Sequence, residues 1–204
     1  MIAHPDFRLM TPQAYLRWEA EQPIRYEYID GEVFAMSGGT VPHNQVAVNL
    51  VSLINSHLRG KGCKVLSSDA KVRVAEAGPF HYPDVSVTCD DGDRLARQFI
   101  CYPCLIAEVL SPSTEAFDQG KKFTQYRRIP TLREYLIIDP DNMSLECYRL
   151  NDRGNWELFH DFTSEDLGND EVEVELKSLD LRFPLSWVYE NITFLEKDSD
   201  RAVM

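Results

Sequence analysis

The chain has 204 residues, 44% of them hydrophobic and 11% aromatic, and a net charge of −12. That length predicts a single domain over 1–204 with a core of its own, and no apolar run is long enough for a membrane-spanning helix. The acidity argues against a general nucleic-acid binder, which needs Lys and Arg at the phosphates.

The surplus of acid is uneven. Residues 151–204 hold 5 Lys and Arg against 14 Asp and Glu, so residues 1–150 are nearly balanced and can still carry a locally basic face. No basic segment followed by an apolar one opens the chain, so no signal peptide is expected and the expected compartment is the cytoplasm.

Thr11-Pro12 reads as a helix start, with Thr as N-cap and Pro in the first position, and predicts a helix over about 12–21. Residues 25–36 read as a β-hairpin turned at Asp30-Gly31. Glu27 in its first strand has two readings: a solvent-facing residue, the commoner outcome, or a third acid beside a metal. Ser37-Gly38-Gly39-Thr40 is a loop and not a P-loop, because no Gly-Lys-Ser/Thr follows. Pro42-His43-Asn44 opens a helix to about Arg59, with Val46, Leu50, Leu53, Ile54 and Leu58 on one face. His43 is either a loop residue bonded to its neighbours or a group pointing into a site at the helix N-terminus.

Short strands are predicted over 63–66 and 71–75, then a longer one over 82–88 with Pro83 tolerated at its start. Asp90-Asp91-Gly92-Asp93 is a polar turn, lacking the downstream Glu of an EF-hand loop. Residues 105–110 are nearly all apolar, as in a buried central strand. Glu108 interrupts that run, and a carboxylate buried there must be paired or metal-bound. Pro112 ends the strand, and Thr114 caps a helix to about Arg128 with Glu115 in its first turn. Asp118, Lys122 and Tyr126 recur every four residues and so share a face. A strand over 132–139 and a hairpin of 145–150 with 156–162 follow. Acid and apolar residues alternate over 171–183, predicting one edge strand. Residues 186–194 form a short helix or an extended close, and 196–204 are expected to fray beyond a core of 11–195.

With no export signal, the five cysteines, Cys63, Cys89, Cys101, Cys104 and Cys147, are expected as reduced thiols. Cys101-Tyr102-Pro103-Cys104 leads into a strand rather than a helix, so it reads as structural and not as a redox pair. No second such pair completes a zinc tetrad.

Cleaving a phosphodiester needs an activated water and relief of charge on the phosphorus oxygens. Mg²⁺, or Mn²⁺, supplies both and prefers carboxylate and carbonyl oxygens. Asp84 and Glu108 lie on neighbouring predicted strands and can meet at one sheet edge, with the Val109 carbonyl as a third oxygen ligand. A nearby Lys orients the water or stabilises the transition state.

Pro83-Asp84 followed by Glu108-Val109-Leu110 resembles the PD-(D/E)XK nuclease superfamily. A wider set narrows the likeness: Tyr26-Glu27-Tyr28-Ile29-Asp30-Gly31-Glu32, His43, Tyr82-Pro83-Asp84-Val85, Glu108 through Thr114, Asp118, Lys122 and Leu132-Arg133-Glu134-Tyr135. Together these resemble the Uma-type restriction-endonuclease family abundant in cyanobacteria, over roughly residues 11–195. The resemblance implies an α/β, restriction-endonuclease-like fold: a mixed β-sheet flanked by helices, with an N-terminal β-hairpin and the acids at one sheet edge. It implies a metal-dependent DNA endonuclease, often a homodimer, with Asp84, Glu108 and Lys122 catalytic and Glu27, His43, Asp118 and Tyr126 in support. The superfamily's strand Lys is replaced here by Leu110, and Lys122 on the following helix stands in for it. Two other classes stay open: a non-catalytic dimeric interaction or regulatory module of the same fold, and a metal-dependent hydrolase of small phosphoesters. In the bland case Glu108 and Lys122 pair for structure alone.

Overall fold

A computed structural model of the chain describes residues 9–111, 118–162 and 172–194. Helix α1, Pro12–Glu19, starts at Thr11, whose hydroxyl accepts from the Ala14 N–H at 3.2 Å. The hairpin β1, Tyr26–Ile29, and β2, Glu32–Ala35, turns at Asp30 and Gly31, both with positive φ (51° and 95°). That is the backbone a two-residue hairpin demands. Helix α2, Val41–Leu58, is followed by β3, Lys64–Ser67, β4, Val72–Arg73, and β5, Phe80–His81. Then come β6, Val85–Thr88, β7, Leu105–Val109, and a π-helical turn, Asp118–Lys122, running into the short α3, Phe123–Tyr126. Strands β8, Glu134–Asp139, β9, Ser144–Leu150, β10, Trp156–Phe162, β11, Glu173–Leu176, and β12, Leu181–Pro184, complete the described chain.

The main sheet has six strands in the order β10-β9-β8-β7-β6-β3. Its β7–β8 pair is parallel and the other pairs are antiparallel. Strand β7 is buried on both faces, which explains its nearly unbroken apolar run. Leu105, Ala107 and Val109 pack with Val46, Leu50, Ile54 and Leu58 of α2. Ile106 turns to the opposite face, against Tyr126, Tyr135 and Ile137. By the same alternation Glu108 faces that second side. A smaller sheet, β2-β1-β5-β4, carries an aromatic cluster of Tyr15, Tyr26, Tyr28 and Phe80. The Tyr15 hydroxyl ties α1 to it by donating to the Tyr26 carbonyl at 2.6 Å. Among the described residues no helix is long and apolar enough to cross a membrane.

The structure corrects three expectations. The strand expected over 82–88 begins only at Val85, and a separate short strand of the other sheet precedes it. Phe80–His81 pairs with β1 and β4, Val85–Thr88 pairs with β3 and β7, and the chain changes sheet at Tyr82-Pro83-Asp84. Pro83 has no N–H to give to a ladder, which makes it a natural crossing point. The single edge strand expected over 171–183 is a two-stranded hairpin, turned by a 3₁₀ segment at Lys177–Leu179 and a left-handed Asp180 at φ 51°. Two short strands share the alternation of one long one, and the turn contains neither Gly nor Pro to betray it. Finally, the cysteines are not all free thiols. Cys63 and Cys89 form a disulfide one step beyond the Lys64↔Thr88 pair, while Cys101, Cys104 and Cys147 are free. The expected Thr114 cap, Glu115 and the tail at 196–204 lie outside the described residues.

The C-terminal hairpin is held from beneath by Glu134, which is fully buried. Its carboxylate accepts from Arg149 Nε at 2.8 Å, from the Lys177 and Ser178 N–H groups at 3.0 and 2.9 Å, and from the Ser178 hydroxyl. Glu134→Ala leaves the two amides without their acceptor and Arg149 with Glu175 alone, so a loss of about 3 kcal/mol is expected in urea unfolding. Glu134→Gln, which keeps acceptor oxygen there, should lose less.

Candidate active site

The break at Tyr82-Pro83-Asp84 puts side chains from both sheets on one seam. Asp84 precedes the last registered pair of β6 and β7, Val85↔Ala107, and Glu108 follows it, so both carboxylates lie at the same end of that ladder. Like charges at close quarters repel, so two carboxylates there call for a cation. Asp84 Oδ2 accepts from the Val109 N–H at 2.8 Å and lies 3.3 Å from His43 Nε2. The β6–β7 ladder ends at Val85↔Ala107, short of Val109, and Pro83 just beyond it has no N–H to give to the Val109 carbonyl.

Lys122 reaches the acids from the helical segment. Its Nζ lies 3.2 Å from Glu108 Oε1 and 3.3 Å from Glu27 Oε1, with every partner at most 7% exposed. Tyr126, one turn on, donates its hydroxyl to the same Glu108 Oε1 at 3.0 Å. Burial first, and then the Glu108 charge, push the Tyr126 phenol well above its usual range, so it stays a donor. Glu27 is not a solvent-facing strand residue. It is buried at 2% exposure, accepts from the Tyr82 N–H at 3.1 Å, and has His81 Nδ1 3.3 Å from its Oε2. Burial alone would raise its pKa, but Lys122 and His81 outweigh that and hold it at about 2. Of the two readings of His43, the structure gives the one that points into the site. Thr40 caps the helix by accepting from the His43 N–H at 3.3 Å. A Cβ on Gly39 would come within 2.5 Å of His43 Nδ1, so the loop must be bare there. The side chain of Asp118 lies outside the described residues, though its backbone sits in the π-helical turn.

Burial is graded along the seam. Glu27 and His81 form its floor at 2% and 0%, whereas Asp84 and His43 are 14% and 15% exposed and form its mouth. Two of these groups were invisible in the sequence. His81 and Gln125, whose Oε1 is 2.6 Å from His81 Nε2, belong to no motif. Only a reading that split 80–88 between two sheets would have placed His81 beside Glu27.

Among the described residues no three His, Cys, Asp or Glu side chains converge to hold a metal. The donor set is different: two carboxylates and a backbone carbonyl, all oxygen, which suits Mg²⁺ or Mn²⁺ with waters retained. Charge supports the fit. Glu27, Asp84 and Glu108 against Lys122 leave −2 with neutral imidazoles, the charge a divalent cation cancels.

The profile of the Uma2 family, described as "Putative restriction endonuclease", matches residues 12–182. The uncharacterized protein slr1290 of Synechocystis sp. is 41% identical over 197 residues, spanning 95% of this chain and 100% of that protein. A second Synechocystis protein, the uncharacterized sll1609, is 32% identical over 163 residues, 78% of this chain and 90% of its own length. A crystal structure from Anabaena variabilis, described as "a putative nuclease belonging to DUF820", aligns with a TM-score of 0.68 at 19% identity and covers 88% of this chain and 97% of that one. The shared architecture is the restriction-endonuclease-like fold, a mixed sheet with few helices.

The low pKa of Glu27 has a consequence for acid stability. A carboxyl held lower in the folded chain than its ordinary 4.5 adds stability above that value and loses it as pH falls towards about 2. Chemical denaturation from pH 5 to pH 2 should show stability falling through this window, with a shallower fall in Glu27→Gln. An equally steep fall in that variant would place the acid-sensitive group elsewhere.

Proposed function

The chain belongs to the Uma2 family, and from that premise we propose that it is a metal-dependent DNA endonuclease hydrolysing phosphodiester bonds. One observation carries the reading: a buried lysine ammonium held between two carboxylates, Glu27 and Glu108, beside a third, Asp84, that accepts from the N–H of Val109, the residue after Glu108. Asp84, Glu108 and the Val109 carbonyl would hold the metal. Bound there, Mg²⁺ or Mn²⁺ would lower the pKa of a water and offset charge on the phosphate.

The remaining work falls to the chain's own groups. His43 and the Val109 N–H fix one oxygen of Asp84, so the carboxylate keeps a single orientation. Tyr126 does the same for Glu108. Lys122 orients the attacking water, or carries positive charge to the phosphate oxygens as the bond breaks. Its position on a helix replaces the strand lysine that Leu110 lacks. Glu27 keeps the ammonium charged by pairing with it. Substrate enters from the exposed side, past Asp84 and His43. A homodimer, usual for this family, belongs to the same reading.

The acidic excess in 151–204 favours two other classes over tight DNA binding, a non-catalytic module of this fold or a hydrolase of small phosphoesters. Cleavage of plasmid and single-stranded DNA with Mg²⁺ or Mn²⁺ separates them. Asp84→Ala, Glu108→Ala and Lys122→Ala should each lose about a hundredfold or more in rate. Full activity in all three variants would overturn the site. Neither cleavage nor metal binding by calorimetry would leave the module, and turnover of mononucleotide esters alone would leave the small-substrate enzyme.

A further inference from the structure

His81 is fully buried, so it cannot touch substrate, yet each of its ring nitrogens faces a neighbour of Lys122. Nδ1 lies 3.3 Å from Glu27 Oε2, on the carboxylate whose other oxygen meets the lysine. Nε2 lies 2.6 Å from Oε1 of Gln125, one helical turn after Lys122. The ring also packs edge-on against Tyr126 at 5.3 Å, the residue that donates to Glu108. We propose that His81 is a positioning residue that holds the Lys122 ammonium against Glu108, by fixing Glu27 on one side and the Lys122-bearing helix on the other.

Lysine is a poor choice for a fixed charge, because its four-carbon stem turns freely and its ammonium is strongly hydrated. Something must hold it. Glu27 accepts from the Tyr82 N–H through Oε1, the oxygen that also meets Lys122, and His81 stands against Oε2. One oxygen is thereby hydrogen-bonded, and the other is met by the imidazole in a close contact at 3.3 Å that falls short of hydrogen-bond geometry. Being ionised, the carboxylate can only accept, so Nδ1 is the nitrogen that carries a proton towards it, and Nε2 of a neutral ring then accepts from the Gln125 amide nitrogen, with that amide turned end for end. The contact to Gln125 ties β5 to the helical segment itself. Without the imidazole, the carboxylate can swing and the helix loses its link to the small sheet.

The role in aiming Lys122 at a reacting phosphate rests on the nuclease reading, but the link itself is tested without it. Full-length protein is acetylated under limiting acetic anhydride, and modification is read residue by residue by mass spectrometry. Exposed Lys121 serves as the reactive reference, and Lys71, buried against Glu19 at 2.8 Å, as the control for unfolding. In His81→Phe, labelling of Lys122 relative to Lys121 should rise about tenfold or more, with Lys71 still protected. His81→Asn, whose amide nitrogen falls near Nδ1, and His81→Gln, near Nε2, should each recover part of that protection. Unchanged labelling of Lys122 in His81→Phe overturns the proposal. So does loss of Lys71 protection alongside Lys122 in all three variants, which would make His81 a residue of the general fold. With cleavage in hand, His81→Phe should lower kcat about tenfold or more at unchanged KM and add nothing in a Lys122→Ala background. Additive losses would also overturn the proposal. Absence of cleavage by the parent chain sinks the nuclease reading alone.

Discussion

The ammonium of Lys122 stands at the point where three elements meet. Glu27 comes from β1 of the small sheet, Glu108 from β7 of the main sheet, and the lysine from the helical segment between β7 and β8. Each charge is buried deeply enough that it could not be tolerated alone. The pairing therefore does more than hold a site: it requires the two sheets and the helix to arrive together. Tyr126, Tyr82 and His81 supply the hydrogen bonds and close contacts that make such a pairing tolerable, and all three are themselves buried.

The charge of the molecule points away from polyanions, while the function proposed for the seam requires one. The two statements concern different length scales. A net charge of −12 sets the distant field and slows approach. A seam with three carboxylates and one ammonium sets the local chemistry, and a divalent cation would cancel its net negative charge. On the proposed reading, phosphate contact would depend on the metal and the lysine, and less on a basic surface.

What was legible in the sequence was what local periodicity and spacing encode. The apolar face of α2, the Asp30-Gly31 turn and the buried run of β7 each follow from a repeat or a dipeptide. The helical spacing of Lys122 and Tyr126 already implied a shared partner, and both reach Glu108. What stayed hidden depended on pairing between distant strands. Glu27 looks like a surface residue until β5 lies beside β1. The Cys63–Cys89 link needs the register of β3 against β6. The crossing at Pro83 takes up the first residues of what reads as a strand over 82–88, and His81 sits before it in a strand of the other sheet.

The crossing at Tyr82-Pro83-Asp84 also governs when the seam comes into being. Glu27 is made early in synthesis and Lys122 much later, and neither is aimed until the intervening strands have closed into two sheets. A partly folded chain carries all the same residues and none of their geometry. Chemical competence is thus tied to completion of the long-range contacts, so a nascent or locally opened chain is inert by construction. If the seam cleaves DNA as proposed, the slowest-forming contacts of the fold would act as its safety catch.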